Sequence, residues 1–342
     1  MDNVTHTLTG LALARAGLNR FSPRATALLM ISANVPDIDI IGALKGPLAY
    51  LELHRGYTHC VLAVPVMALL VVLFVAAIFR QKLSWGRAWL LCVIGVSSHL
   101  LLDWTNSYGT RLLLPFSSRW FHLDITALYD GWIMAVLVFA AIWPMFSRLV
   151  NREIGSKELP GRKLAIGALA FFLLFDCARA ILHARAVAQL EARLFENALP
   201  LQAAALPAAF TPFRWHGYVE TERTYAALPV NTLGEVELAD AQVFFKPPLE
   251  PSIEAAKQTE PFRFFVYFAR FPIWSESRIS LDVGFGNRVE LTDLRFGEPQ
   301  RGTFHCVALE NSAFQPLESW FTFGSGINLG WGRGGPPSAL ER

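Results

Sequence analysis

Five of the eight histidines fall in the first 122 residues, and their neighbours are the side chains that hold metal ions. The groupings are Thr5-His6, Pro36-Asp37-Ile38-Asp39, His54-Arg55-Gly56-Tyr57-Thr58-His59, His99-Leu100-Leu101-Leu102-Asp103 and His122-Leu123-Asp124. His99 and Asp103 are four apart, so on a helix they project from one face a turn apart, within reach of one ion. A histidine–aspartate hydrogen bond tying two helices together is the simpler reading of that pair alone. His54 and His59 would point ~140° apart on a continuous helix; a break at Gly56 lets both converge, whereas without convergence they are an interfacial pair. Asp37 and Asp39 follow Pro36, which favours an extended chain in which both carboxylates face one side. Taken singly, such a pair is a solvated turn or cap, and a lone His6 carries no signal.

What positions these residues is a set of apolar helices. Of 342 residues, 53% are hydrophobic and 17% charged, against about 25% charged in ordinary soluble domains. Runs of the ~20 apolar residues that cross a bilayer lie at about His59–Phe79, Ala88–Trp104, Leu128–Phe146 and Leu164–Leu182. Two shorter pieces, Val4–Gly17 and Ala25–Val35, read as a half-inserted or protein-buried helical hairpin turning at Arg15, Arg20 and Arg24. Lysine and arginine favour the cytoplasmic side in short loops. Arg80, Lys82 and Arg87 mark one such loop, and Arg148, Arg152, Lys157, Arg162 and Lys163 another. That assignment puts all five His/Asp groupings on the extracytoplasmic face, an agreement that random placement would rarely produce.

The expected fold is therefore an all-α membrane bundle of about four full spans plus a short N-terminal helical hairpin, followed by a small antiparallel β domain. The boundaries are 1–182 for the membrane-embedded domain, 183–210 for a helical linker and 211–342 for an extracytoplasmic β-rich region. Short β-rich runs at Tyr218–Tyr225, Ala241–Lys246, Phe262–Phe268, Arg288–Leu294 and Thr303–Leu309 point to a sandwich or open barrel. The four cysteines form no C-x-x-C pair, which argues against a thiolate metal site or a disulfide scaffold. A net charge of +2 with no long basic run gives no sign of a nucleic-acid partner.

A mixed imidazole and carboxylate set suits zinc, with manganese or iron as alternatives. The candidate ligands are His6, Asp37, Asp39, His59, His99 and Asp103, then His54, His122 and Asp124. Asp37 or Asp39 is the candidate bridging ligand or general base, and Arg55, with Arg111, the candidate to neutralise a phosphate.

These residues resemble those of the YdjM-type, in part LexA-regulated, membrane-bound metal-dependent hydrolases of bacterial inner membranes. The resemblance covers roughly Met1–Phe146 and rests on Thr5-His6, Val35-Pro36-Asp37-Ile38-Asp39, the His54–His59 stretch and His99–Asp103 with Gly109 and Pro115. That family is in turn similar to the all-helical zinc phospholipases C and nucleases, which use an H-x-x-x-D helix in a multinuclear site. The resemblance implies one to three zinc ions, hydrolysis of a phospholipid or other envelope phosphoester, and membrane lipid as partner. A histidine–glutamate helix that would complete a three-metal set is not evident, and neither substrate identity nor oligomeric state is readable. The alternative is a non-catalytic membrane scaffold whose His/Asp site is structural. The orientation is testable with membrane-impermeant thiol reagents on intact cells: Ser117→Cys is expected to react and Ser84→Cys to be protected, and the reverse pattern would invert the topology.

Overall fold

The distribution of apolar side chains on single helices explains how the N-terminal half packs. In the computed structural model, which describes residues 1–80, 82–154, 161–248, 250–281, 284–299 and 302–324, the first helices are α1 (Asn3–Arg15), α2 (Ala25–Ser32), α3 (Pro47–Leu53), α4 (Ala63–Phe79) and α5 (Trp85–Thr105). They are followed by α6 (Gly131–Ile154) and α7 (Gly161–Glu191). On α4, Met67, Ala68, Val71, Val72 and Val75 are buried while Val66, Leu69, Leu70, Leu73 and Phe74 are exposed. A helix apolar on every side has lipid, not water, as its outer solvent. Among the described residues two helices, α5 and α7, are long and apolar enough to cross a membrane, or up to four spans if each of two bent pairs counts as one. The expected third span is shorter, an apolar helix over Gly131–Ser147. Lys157 of the second basic loop and the chain beyond 324 lie outside the described residues.

The chain divides into two compact units. The first holds Met1–Asp39, Arg55–Arg185 and Leu206–Arg214. Here the expected N-terminal hairpin is α1 and α2, reversing at Gly17 (φ 134°) and a short 3-10 turn, Leu18–Arg20. Two glycines set how closely these helices approach. A Cβ on Gly10 would lie 2.7 Å from the Leu29 carbonyl oxygen, and one on Gly95 would lie 1.9 Å from Ser32 Oγ. α2 is thus wedged between α1 and α5, over a core that includes Ala14, Leu28, Leu29, Val72 and Cys92. At the opposite end from the His/Asp groupings, Arg15 donates to the carbonyls of Ala140 and Ala141 (3.2 and 2.7 Å), and Arg162 to that of Ala16 (3.0 Å).

The second unit holds Ile40–His54, Ala186–Ala205 and the chain from Trp215 onward. It contains two four-stranded sheets, each ordered as its strands occur in the chain: β1 (Gln202–Pro207), β2 (Arg214–Glu220), β3 (Thr224–Asn231) and β4 (Gln242–Phe245), then β5 (Pro272–Ser280), β6 (Phe285–Asp293), β7 (Phe304–Asn311) and β8 (Pro316–Phe323). The β5 to β8 pairings are all antiparallel. Tyr225 and Ala204 from the first sheet pack with Phe271, Ile273 and Leu294 beside the second.

Three sequence expectations differ here. Tyr218–Tyr225, expected as one β run, is the end of β2, a turn and the start of β3. Gln202–Pro207, inside the segment expected as a helical linker, is strand β1, and helix continues only to Glu191. Phe262–Phe268 is not a strand but part of α9 (Glu260–Phe268), which follows α8 (Pro251–Lys257). Dense aromatics favour strands locally, but Thr259 and Pro261 start a helix and Phe262, Phe265 and Phe268 recur at three-residue spacing on its buried face.

Glu310 on β7 is fully buried, and among the described residues neither carboxylate oxygen has a hydrogen-bond partner. Burial, reinforced by the charge of Glu276, raises its pKa to about 7. Folded protein therefore holds this proton above the pH at which the unfolded chain, with its ordinary value of 4.5, releases it. The stability is complete below about 4.5 and is lost as pH rises toward 7. Glu310→Gln is expected to flatten that slope in thermal melts between pH 5 and 8, worth about 1–3 kcal/mol at the alkaline end; unchanged slopes would contradict the assignment.

Candidate metal centre

The inner stripe of α5 leads directly to the site. Ala88, Leu91, Cys92, Gly95 and Val96 are buried at the i, i+3, i+4, i+7 and i+8 positions of one helix face, and His99 and Asp103, at i+11 and i+15, continue it. A histidine and an aspartate thus occupy the end of a face that apolar residues fill along the rest of the helix. Both have essentially no solvent exposure, nor does His59, whereas the Asp37 side chain is 17% exposed. His59 ends a 3-10 turn, Tyr57–His59, just before α4, and Asp37 lies near the start of a 3-10 segment, Val35–Lys45, just after α2.

Four side chains from three stretches converge. His59 Nε2 and His99 Nε2 are 3.1 Å apart. Asp37 Oδ1 lies 3.4 Å from the first and 3.5 Å from the second. Asp103 Oδ2 lies 3.4 and 3.5 Å from the same two nitrogens. One donor atom from each residue fits within 4.8 Å of all the others.

The remaining ring nitrogens fix the histidine tautomers. His99 Nδ1 is 2.7 Å from the Ala33 carbonyl oxygen, which can only accept, so Nδ1 carries the proton and a neutral ring presents a bare Nε2. His59 Nδ1 is 3.2 Å from Asp39 Oδ2 and 2.9 Å from Thr58 Oγ1, an arrangement that orients it the same way. Such outer hydrogen bonds accompany metal-bound imidazoles. Asn3 Nδ2 donates to Asp37 Oδ2 at 2.9 Å, leaving Oδ1 toward the histidines.

Arg55 holds Asp103 from behind. Its Nε is 3.1 Å from Oδ2 and its Nη2 3.1 Å from Oδ1, a two-pronged contact, while Nη1 donates to Asn106 Oδ1 at 2.8 Å. The Arg55 backbone N–H donates to Asp39 Oδ2 at 2.9 Å, and Thr58 Oγ1 to the same oxygen at 3.0 Å. Arg55 has a left-handed backbone (φ 53°), which a non-glycine residue keeps only where its surroundings fix it. The Met1 amine contacts Asp103 Oδ1. His6 stacks on His99 at 3.8 Å, with its Nε2 3.3 Å from Asp103 Oδ1.

The sequence candidates therefore separate. Asp37, His59, His99 and Asp103 form the cluster, and His6 and Asp39 touch it. His54 ends α3 stacked on Tyr50 at 4.7 Å, and the chain reverses at Arg55 (φ 53°) rather than at Gly56. His122 Nδ1 pairs with Asp124 Oδ2 at 3.1 Å. The Asp37–Asp39 segment is 3-10 rather than extended, and its carboxylates reach opposite nitrogens of one ring, that of His59. Arg55, proposed from sequence for a phosphate, is buried with its guanidinium turned to Asp103 and Asn106. Arg111 is buried over Trp120, at 4.8 Å. Asn3, Thr58, Asn106 and the Ala33 carbonyl were not evident beforehand; of these only Thr58, next to His59, carried any sequence signal.

The donor set fits a divalent ion. Bonds of about 2.0–2.2 Å in a tetrahedral N/O site place donors about 3.3–3.6 Å apart, and the five distances given above span 3.1–3.5 Å. Two imidazoles and two carboxylates match zinc in type. Arg55→Lys keeps a charge but not the two-pronged hold on Asp103. It is expected to weaken metal binding about 10–100-fold in chelator competition; unchanged affinity would show that Arg55 does not set the carboxylate.

Comparison with known proteins places the chain in context. A family model described as YdjM inner membrane protein matches residues 1–186. The uncharacterized protein YfhP of Bacillus subtilis (strain 168) is 30% identical over 154 residues, 42% of this chain and 46% of YfhP, so the chain covers under half of that relative. Inner membrane protein YbcI of Escherichia coli (strain K12) is 32% identical over 123 residues, 34% of this chain and 69% of YbcI. No solved structure matches the chain.

Proposed function

Because the chain belongs to the YdjM inner membrane protein family, we propose that it is a multi-pass, metal-dependent hydrolase of the inner membrane, acting on a phospholipid or another envelope phosphoester. The observation that carries this reading is the convergence of one donor atom each from His59, His99, Asp37 and Asp103 within 4.8 Å of one another. The positive-inside pattern supports a site and a β domain on the extracytoplasmic side. The substrate class rests on the resemblance of the His99–Asp103 step to that of the zinc phospholipases C.

A divalent ion, zinc by donor type, supplies a Lewis acid and a water of lowered pKa when bound. The chain's own residues have separate tasks. His59 and His99 present bare Nε2 atoms because their Nδ1 protons are held by fixed acceptors. Arg55 neutralises and orients Asp103. Asp37, the most exposed of the four, would hold the ion on the side open to water and substrate, and its carboxylate would serve as the proton acceptor when it gives up its place on the ion to water.

A second reading has an observation in its favour: four protein donors complete a shell, as structural zinc sites do. Purified full-length protein separates the two through metal analysis and turnover of vesicle phospholipids. The hydrolase reading predicts about one ion per chain in the wild type, loss of both ion and turnover in His99→Ala, and at least about a hundredfold loss of turnover in Asp37→Asn. Equal metal in wild type and His99→Ala would remove the site, and stoichiometric metal without turnover of any phospholipid class would leave the structural reading.

A further inference from the structure

The 3-10 segment that carries Asp37 and Asp39 has two unlike faces. With three residues per turn, positions three apart stack. Pro36, Asp39 and Gly42 are buried, and a Cβ on Gly42 would lie 3.0 Å from Leu53 Cδ1 and 3.1 Å from the Ala49 carbonyl oxygen, so that edge is pressed against α3. Ile38, Ile41 and Leu44, the next stripe round, are 51%, 58% and 72% exposed, with Ile40 beside them at 56%. This is a continuous apolar edge about 12 Å long, at about 2.0 Å per residue, rooted at a candidate metal ligand.

We propose that the Ile38–Ile41–Leu44 stripe is a lipid-engaging arm, lying among the acyl chains of the leaflet on the metal centre's side and guiding a lipid toward Asp37. Three observations favour lipid over another protein as its occupant. The segment follows α2 and, joined with it, meets the length and composition of a membrane span, so the exposed stripe lies in a stretch whose composition suits lipid. The side chains on the edge are purely aliphatic, without the aromatic and arginine anchors that mark protein interfaces. The charge at its end is the exposed Lys45, whose long stem lets an ammonium reach lipid phosphates while its carbons stay among the chains. Resting on the hydrolase reading, the same lipid is the substrate, its phosphate delivered to the centre while its chains stay in the bilayer.

The test uses full-length protein in phosphatidylethanolamine–phosphatidylglycerol vesicles, with the exposed Cys177 replaced by alanine and the three buried cysteines left in place. A nitroxide is attached through Ile41→Cys, Leu44→Cys or Lys45→Cys, exposed positions where a label displaces no packing. Electron paramagnetic resonance then compares collision with oxygen, which concentrates in lipid, and with a water-soluble nickel chelate. Oxygen is expected to dominate at 41 and 44, and the chelate at 45. Chelate-dominated relaxation at 41 and 44 would place the stripe in water, and exclusion of both reagents would place it against protein; either overturns the proposal. The readout needs no turnover, so a stripe in lipid on a metal-free, inactive chain removes the hydrolase reading alone, and a stripe in water on an active one removes only the arm.

Discussion

Two imidazole nitrogens held 3.1 Å apart, each with its proton committed to the far side of the ring, cannot face one another without something positive between them. The carboxylates that flank them sharpen the demand. Oxygens of Asp37 and Asp103 lie within 4.8 Å of each other, a repulsion of about 3 kcal/mol at an effective dielectric near 20. A bound divalent cation answers both problems at once, and the surrounding structure is arranged as if to keep that solution in place. Arg55 grips Asp103, Asp39 and Thr58 steady His59, and the carbonyl of Ala33 steadies His99.

The bundle makes this convergence possible by bringing backbones unusually close. Gly10 against Leu29 and Gly95 against Ser32 leave no room for a side chain, so α1, α2 and α5 pack tightly enough for the end of α2 to place a carbonyl on His99. Packing of small residues is the normal means of association among helices in lipid, where hydrophobic burial gives little advantage. The segment from Asp37 to His59 then crosses between ligands as an excursion, with α3 and the apolar 3-10 edge lying between the second and third functional stretches of sequence.

Much of this was legible in the residues themselves. The four-residue step from His99 to Asp103 marks one helical face, and the inner stripe of α5 runs straight into it. Asp37 and His59 stood out by type and by their positions beside apolar segments. What the sequence did not disclose depended on backbone geometry. Nothing local says that the chain turns left-handed at Arg55, the turn after which His59 reaches the centre. Nor does it say that Asp37 and Asp39 sit on a 3-10 segment, serving two nitrogens of one ring. Ala33 contributes only a carbonyl oxygen, which any residue possesses, and so had no sequence signature. In the C-terminal region, the aromatic run Phe262–Phe268 reads as a strand by composition, whereas the structure makes it a helix whose buried face carries Phe262, Phe265 and Phe268.

The central claim is that one ion is coordinated by two imidazoles and two carboxylates. X-ray absorption fine structure at the zinc edge of the zinc-loaded full-length protein reads that shell directly. The account predicts about four N/O neighbours at ~2.0–2.2 Å with outer-shell scattering from two imidazole rings. A shell of oxygens without imidazole scattering, or one containing sulfur, would contradict it.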